Sequence, residues 1–369
     1  MKKICSLVVL LAFTLLLVAC ASDTLTPDQF IDEAATRFGG RASGMSIYVF
    51  TNDEILFANS YGYANMAENL AIDDDTVFRW SSITRTLVWI SALQLLEQGK
   101  LDFHTDIRAY IPDDLLPELK YPTTIFHLLT HSAGWPEMTI RAQNDEGMSP
   151  DIIEHFLRSV QVPPQRFQPG EVSEVNSSFA FGVILVSYIV EQVSGMPFYE
   201  YVHEHIFNRL EMTHTAVLSD SSDNIWVQQQ RAKQNSYVSA DRSMEAISAP
   251  LPLPFFMLGS AVSTISDFHK FAVALLPDSS GGSALFERHE TLEKLHNTFD
   301  YDVSSYTNNG DGIIAQNGLT CQTMTLLIDT RRGMGVIVMT NQEREGYFNR
   351  VTWLREVIDR FAYSQERRP

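Results

Sequence analysis

The sequence predicts an α+β fold in which both ends of the chain form one antiparallel sheet flanked by helices. Three observations support this prediction. Two apolar, β-prone runs lie near the N-terminus, at Met45–Phe50 and Glu54–Ser60. A second pair lies near the C-terminus, at Thr323–Asp329 and Gly335–Thr340. Between the two pairs apolar residues recur at helical spacing, so we expect a mostly helical region to be inserted into the sheet.

The predicted elements begin with a helix that starts at Thr26-Pro27 and ends at Gly39-Gly40, with proline at its first position. Thr51-Asn52-Asp53 forms the turn of the first hairpin, and Arg331-Arg332-Gly333 forms the turn of the second. A terminal helix covers Tyr347–Tyr363, because its apolar residues share one face. They are Val351, Leu354, Val357, Ile358 and Phe361.

The middle of the chain is predicted to be helical wherever apolar residues follow the 3.6-residue period. These helices cover residues 83–98, 124–131, 150–159, 178–194, 198–208 and 265–276. The segments 216–250 and 277–284 do not follow that period, and they are predicted to be mobile loops.

The first twenty residues have the pattern of an export signal. A short charged segment precedes an apolar run, Leu7–Val18, which is too short to span a membrane comfortably. The run leads into Leu-Val-Ala-Cys at Cys20, which resembles a bacterial lipobox. The resemblance implies that residues 1–20 are a signal peptide, that Cys20 is lipidated and that residues 21–29 are a tether. We therefore expect anchoring to the outer face of the cytoplasmic membrane or to an outer membrane; the alternative is ordinary secretion after cleavage near Ala19.

Charge and cysteine content exclude several classes of partner. The chain has 27 basic and 45 acidic residues, a net charge of −18 at pH 7. This excess of negative charge argues against nucleic acid as a partner and against electrostatic docking on anionic lipid. Outside the signal segment and Cys20, Cys321 is the only cysteine, so no internal disulfide is expected. His127 and His131 have metal-ligand spacing without an evident third ligand, so neither a metal nor another cofactor is expected.

Ser82 is the first candidate for chemistry, because it directly precedes the apolar helical run Leu87–Leu96. A serine in the first turn of a helix lies at the positive end of the helix dipole. The residue at position i+3, here Arg85, lies on the same face. Taken alone, such a serine is most often only a helix cap.

Four segments downstream of Ser82 carry a second signal. They lie at residues 90–112, 126–134, 206–215 and 263–268. The second of them, Phe-His-Leu-Leu-Thr-His-Ser-Ala-Gly, resembles the stretch HLLTHTSG of the serine β-lactamase family. That family includes class C β-lactamases, DD-peptidases and related esterases, and the resemblance covers roughly residues 30–362. It implies the β-lactamase/transpeptidase fold over residues 30–365, with a sheet region at 30–75 and 255–365 and a helical region at 76–254.

The resemblance also implies a site, and several of its positions carry unusual residues. Ser82 occupies the nucleophile position, whereas Arg85 stands where the family has lysine. Glu174 and Asn176 correspond to the tyrosine and asparagine of a second motif. A shift of one residue would pair the neighbouring valine and serine with that motif instead, and neither register supplies a tyrosine.

A third motif, Lys/His-x-Gly, corresponds to Gln316 and Gly318, so a neutral amide replaces a cation. The resemblance implies that the backbone N–H groups of Ser82 and Leu319 form the oxyanion hole. Asn176 and Gln316 are then substrate-binding residues. Shortly after this motif, Cys321-Gln322 replaces a common Pro-Gly pair.

These replacements limit the chemistry that is expected. Arginine stays protonated in proteins, so Arg85 cannot be the base that deprotonates Ser82. Glu174 could take that proton while Arg85 holds its carboxylate, although pairing with arginine lowers a carboxylate pKa and weakens the base. The alternative is that Glu174 and Arg85 form a structural ion pair in a slow or degenerate site.

Two functions therefore remain open. The first is a cell-envelope serine hydrolase that forms an acyl-enzyme on Ser82 with a β-lactam, a D-Ala-containing peptide of peptidoglycan type or a small ester. The second is a binding protein that keeps the groove and has lost proton transfer. The sequence does not define an oligomeric state.

Overall fold

The computed structural model describes residues 26, 29, 31–32, 44–136, 149, 151–171, 179–240, 243–247, 251–298, 306–308, 312–319, 322–342 and 348–366. Its strands are β1 Gly44–Thr51, β2 Ile55–Asn65, β3 Leu70–Ala71, β4 Val77–Arg79, β5 Thr215–Ala216, β6 Ser236–Ala240, β7 Ser243–Ile247, β8 Val262–Thr264, β9 Tyr306–Asn308, β10 Ile313–Leu319, β11 Thr323–Asp329 and β12 Met334–Thr340. Its helices are α1 Thr86–Glu97, α2 Ile125–Leu129, α3 Ile152–Ser159, α4 Phe179–Ser194, α5 Phe198–Val202, α6 Ile225–Arg231, α7 Phe256–Gly259, α8 Ile265–Ala274, α9 His289–Thr298 and α10 Phe348–Glu366.

Seven strands form the main sheet in the order β3-β2-β1-β12-β11-β10-β9. Neighbouring strands are antiparallel, and at the centre Met45 of β1 lies opposite Thr340 of β12. Strands from both ends of the chain thus meet in one sheet, and most of the helices lie between them in sequence. The predicted fold class and both predicted hairpins are confirmed.

The main sheet has an apolar core on each face. On one face, α10 packs its apolar residues against the sheet, including Leu354 and Val357, which are completely buried. This confirms the predicted apolar face at Leu354, Val357, Ile358 and Phe361, whereas the Val351 side chain and the predicted start at Tyr347 lie outside the described residues. On the other face, Phe50, Leu326 and Ile337 belong to a larger core that continues into the helical region. The alternation of side chains along each strand assigns successive residues to the two cores.

The prediction of a loop over residues 216–250 was wrong, because this segment contains α6 and the β6–β7 hairpin. Asn224 caps α6, with its Oδ1 accepting from the backbone N–H of Val227. Tyr237 is buried, and its hydroxyl accepts from the backbone N–H of Met66. Both elements are only five to seven residues long, too short for a clear hydrophobic period.

The N-terminal helix starts where the sequence predicts. Thr26 and Gln29 exchange two hydrogen bonds between backbone and side chain, at 3.0 and 3.3 Å, as in a capping box. The predicted end of this helix at Gly39-Gly40 lies outside the described residues, as do Cys20 and the signal segment.

Within the described part of the chain, no single helix is both long and apolar enough to cross a membrane. The pair Ala180–Ser194 and Phe198–Phe207 reaches the required length and hydropathy together, but it bends by 78° at its break. Residues 181–190 are buried in the larger core.

Candidate active site

Ser82 lies in a short 3₁₀ turn, Ser81–Arg85, that joins β4 to α1. Trp80 fixes the start of this turn, because its indole Nε1 donates to Ser263 Oγ and its backbone N–H donates to the carbonyl of Ala261, both at 2.8 Å. The turn is otherwise buried, and Ser82 is its one residue that is not. Among the described residues the Ser82 hydroxyl has no hydrogen-bond partner, so it caps neither the turn nor α1. The helix-cap interpretation was therefore wrong.

The residue before the candidate nucleophile has a strained backbone. Ser81 has a φ angle of +51° and is fully buried. A non-glycine residue in this region is costly, by about 1–3 kcal/mol, and persists only when its surroundings hold it there. The Ser81 hydroxyl donates to the backbone carbonyl of Gln322 at 3.4 Å. Such strain is concentrated at functional sites, and here it directly precedes Ser82.

Strand β10 lies directly against the serine turn. A Cβ atom built at Gly318 would lie 2.1 Å from the carbonyl oxygen of Trp80 and 2.9 Å from Cβ of Ser81. Both distances are too short for any side chain, so the approach of the strand requires glycine at this position. The turn that carries Ser82 and the strand segment 316–318 are therefore brought together.

Gln316 shares a face of β10 with Gly318, because side chains alternate along a strand. Gln316 is completely buried, and its Oε1 accepts from the Thr86 hydroxyl at 3.4 Å, just beyond the serine turn. Within the part of the chain that the structure describes, its Nε2 has no hydrogen-bond partner. An unsatisfied buried amide costs about 1–3 kcal/mol, so this group is a candidate donor to a bound molecule.

Arg85 is 2% exposed, and its Nε donates to the carbonyl oxygen of Ser82 at 3.0 Å. The guanidinium therefore binds the backbone of the residue that carries the candidate nucleophile. Because arginine stays charged, this contact places a permanent positive charge one turn from the Ser82 hydroxyl.

The second motif is not part of the described structure. Glu174 and Asn176 lie outside the described residues, and so does the side chain of Leu319. On the N-terminal side of that motif, the backbone N–H of Gly170 donates to the carbonyl of Ser132 at 2.9 Å. The roles assigned to Glu174, Asn176 and the Leu319 N–H therefore stay predictions.

The two histidines with metal-ligand spacing have other surroundings. Across the described residues, no group of three or more His, Cys, Asp or Glu side chains could hold a metal ion. His127 instead belongs to the capping box of α2, where its Nδ1 accepts from the backbone N–H of Thr124 at 3.2 Å. Burial, and then the nearby His104, lower the pKa of His127.

Sequence reasoning missed Ser81 and gave no role to Gln322. A positive φ at a serine has no local sequence signature, although glycine or asparagine there would have suggested one. Gln322 was recognised only as a departure from a common pair, since its contacts are to residues far away in sequence.

A comparison with family models matches residues 28–358 to the family described as Beta-lactamase. Among curated proteins, the chain is 20% identical over 322 residues to Protein flp of Staphylococcus aureus strain MRSA252, covering 83% of this chain and 61% of that protein. It is 25% identical over 267 residues to Protein Rv1367c of Mycobacterium tuberculosis strain H37Rv, covering 65% of this chain and 64% of that protein. The chain thus spans less than two thirds of the length of these relatives.

Two solved structures have a similar fold. One is a β-lactamase/D-alanine carboxypeptidase from Pseudomonas syringae, with a TM-score of 0.68, 16% identity and coverage of 93% of this chain and 99% of that one. The other is FmtA from Staphylococcus aureus, with a TM-score of 0.66, 15% identity and coverage of 89% and 88%. At these identities the likeness concerns the fold.

Proposed function

The chain belongs to the β-lactamase family, which includes serine hydrolases similar to penicillin-binding proteins, and we propose that it is a slow cell-envelope serine hydrolase. Members of this family act on small-molecule or peptide substrates. The substrate proposed for this chain is an amide or ester: a β-lactam, a D-Ala-containing peptide or a small ester.

One observation carries the proposal: among the described residues the Ser82 hydroxyl has no hydrogen-bond partner, and its turn is strained at Ser81 and packed against Gly318. In the proposed reaction, Ser82 Oγ attacks the substrate carbonyl, its proton passes to a base, and the leaving group departs with a proton. Water then hydrolyses the acyl-enzyme. Each nucleophilic attack requires a base near neutrality, and Arg85 cannot serve.

Turnover is proposed to be slow for that reason. Glu174 is the remaining candidate base, and a carboxylate beside arginine is a weak one. Gln316 can donate a neutral hydrogen bond to the substrate, which is weaker than a bond from a charged donor. Both features predict that acylation is easier to observe than repeated turnover.

A binding protein without catalysis is the second candidate. The observation that favours it is the contact of Arg85 with the Ser82 carbonyl, because an arginine occupies the place of the expected base. Such a protein would bind the same ligands next to Ser82. It would form no covalent adduct.

Covalent labelling separates the two functions. The purified chain without its first twenty residues is incubated with a fluorophosphonate or a labelled penicillin, beside Ser82→Ala. Ser222→Ala is the matched control, because Ser222 is an exposed serine whose hydroxyl donates to the carboxylate of Asp220. Labelling that requires Ser82 and is followed by turnover supports the hydrolase. A stable adduct indicates an acyl-protein that does not turn over, and no adduct in the wild type favours the binding protein.

We also propose that the chain is anchored to the membrane through lipid on Cys20. The charged segment, the apolar run and the Leu-Val-Ala-Cys sequence support this proposal. Metabolic labelling with a fatty acid should mark the wild type, whereas Cys20→Ala should remain unlabelled. Cys321→Ala is the control, and loss of label in that variant would contradict the assignment.

A further inference from the structure

Gln322 joins three segments of the chain around the serine turn. Its Oε1 accepts from the backbone N–H of Arg79 at 2.6 Å, and its backbone carbonyl accepts from the Ser81 hydroxyl at 3.4 Å. Its Nε2 donates to Ser236 Oγ at 2.9 Å. Arg79 ends β4, Ser81 opens the turn and Ser236 begins β6, so a single residue between β10 and β11 holds all three.

We propose that Gln322 is a positioning residue for Ser82: it holds the strained turn in the conformation that presents the nucleophile. This inference rests on the proposed function of Ser82. Gln322 does not act on the substrate. It acts through Arg79 and Ser81, which lie three residues and one residue before Ser82.

The strain at Ser81 explains why such a residue is needed. A serine with a φ angle of +51° relaxes unless neighbouring groups oppose it. Two contacts of Gln322 bracket the dipeptide Trp80-Ser81, one at Arg79 and one at Ser81 itself. In the same hairpin, Gly318 lets strand β10 approach the carbonyl of Trp80. The backbone before Ser82 is therefore contacted by two residues of one β-hairpin, β10–β11.

The orientation of the Gln322 amide follows from its partners. The backbone N–H of Arg79 can only donate, so the atom that faces it must be the amide oxygen. The NH₂ group is then directed to the Ser236 hydroxyl, which can accept. A glycine at this position would keep the carbonyl contact with Ser81 and lose both amide contacts. Glutamate would keep the acceptor for Arg79, and Ser236 could donate to its second oxygen.

The test compares Gln322→Ala with Gln322→Glu in the full mature chain, using the fluorophosphonate. We expect Gln322→Ala to lower the maximal rate of Ser82 labelling on the order of tenfold without weakening the reversible binding of the probe, because misplacement of a reacting group affects the chemical step. Gln322→Glu should recover most of that rate. The matched control is Gln228→Ala, because the Gln228 amide donates to the carbonyl of Asp220 on the surface.

Hydrogen exchange provides a second readout that does not depend on labelling. The amides of residues 79–82 should exchange faster in Gln322→Ala than in the wild type or Gln228→Ala, at temperatures where all three remain folded. Labelling of Gln322→Ala at the wild-type rate, or unchanged exchange, would overturn the inference while Ser82 remained a nucleophile. Faster exchange in a protein whose wild type is never labelled would overturn the proposed function and reduce Gln322 to a structural role.

Discussion

The two faces of the main sheet differ in the residues that they bury. The face beneath α10 is apolar at Ile47, Leu327 and Val336, and its partners on the helix follow a regular spacing. The opposite face has apolar residues such as Phe50, Leu326 and Ile337, but where β10 meets the serine turn it has a buried glutamine, Gln316, and a glycine, Gly318. At this meeting point Ser81 has a positive φ, and Gln316 Nε2 has no hydrogen-bond partner among the described residues.

This difference between the two faces distinguishes residues that contribute only to packing from residues that serve the candidate site. An apolar interface under a helix tolerates changes of shape at a cost in stability alone. A buried polar group without a partner and a strained serine both lower stability, so they are retained only where they serve another purpose. Substitutions beneath α10 should therefore change the free energy of unfolding, whereas substitutions beside the serine turn should change the rate of Ser82 labelling.

The largest effect is expected from Gly318→Ala. The added methyl group would meet the Trp80 carbonyl at 2.1 Å and push the strand away from the serine turn. We expect the rate of Ser82 labelling to fall about a hundredfold, because small displacements of a reacting group carry costs of that size. Gly282→Ala is the control, since its added methyl would meet only side chains, the nearest being Asp278 at 3.0 Å. Wild-type labelling of Gly318→Ala would show that β10 does not contact the turn in solution.

On the other face, Leu354→Ala should affect stability and spare the site. Leu354 is completely buried beneath the sheet, so its truncation should lower the free energy of unfolding by about 3 kcal/mol. The labelling rate per folded molecule should not change. Chemical denaturation measures the free energy of unfolding. Thr352→Ala is the control, because Thr352 lies on the same helix and is exposed. A fall in labelling rate would mean that the two faces are coupled.

Arg85→Lys should change the rate of Ser82 labelling less than Gly318→Ala does, and it should raise that rate. Lysine can lose its proton in a buried site, so it can supply the base that arginine cannot. We expect labelling of Ser82 to become about tenfold faster. The labelling rate should rise with pH, with its midpoint at the pKa of the new lysine base. Arg85→Met keeps the length of the side chain and removes the charge, and it should not accelerate labelling. Slower labelling in Arg85→Lys would instead assign arginine to a remodelled mechanism.

The smallest expected effect is on the pH dependence of stability, and it concerns His269 in α8. His269 packs against the rings of Phe50 and Tyr48, and burial, with a contribution from Lys270, lowers its pKa from 6.5 to about 4. The unfolded chain therefore binds a proton more readily, and the stability present above pH 6.5 is lost as the pH falls toward 4. Denaturation at pH 7 and pH 4.5 should show a smaller loss in His269→Phe than in the wild type. An identical loss in both would contradict the pKa shift.

The regular parts of the fold could be predicted from the sequence because their signals are local. The β1–β2 and β11–β12 hairpins have turn residues between apolar runs, and the face of α10 has helical spacing. The three-stranded sheet β4-β8-β5 could not be predicted, since strands of two or three residues show no period. The same limit explains the incorrect loop prediction over residues 216–250.

Only part of the candidate site could be predicted. Ser82, Arg85 and the strand positions 316–318 were found through the resemblance to family motifs. The contact between Gly318 and the Trp80 carbonyl depends on the tertiary fold, because the two residues are far apart in sequence. The positive φ of Ser81 is imposed by its neighbours rather than by its own side chain.

The position of β12 has a consequence for how the protein folds. This strand lies between β1 and β11, and it joins two parts of the sheet that begin at opposite ends of the chain. Until residues 334–340 have left the ribosome, β1 has an unpaired edge, which favours association with other chains. Completion of the sheet must wait for β12, which is about 300 residues beyond β1 in sequence, so folding should be slow and should benefit from a chaperone that shields this edge.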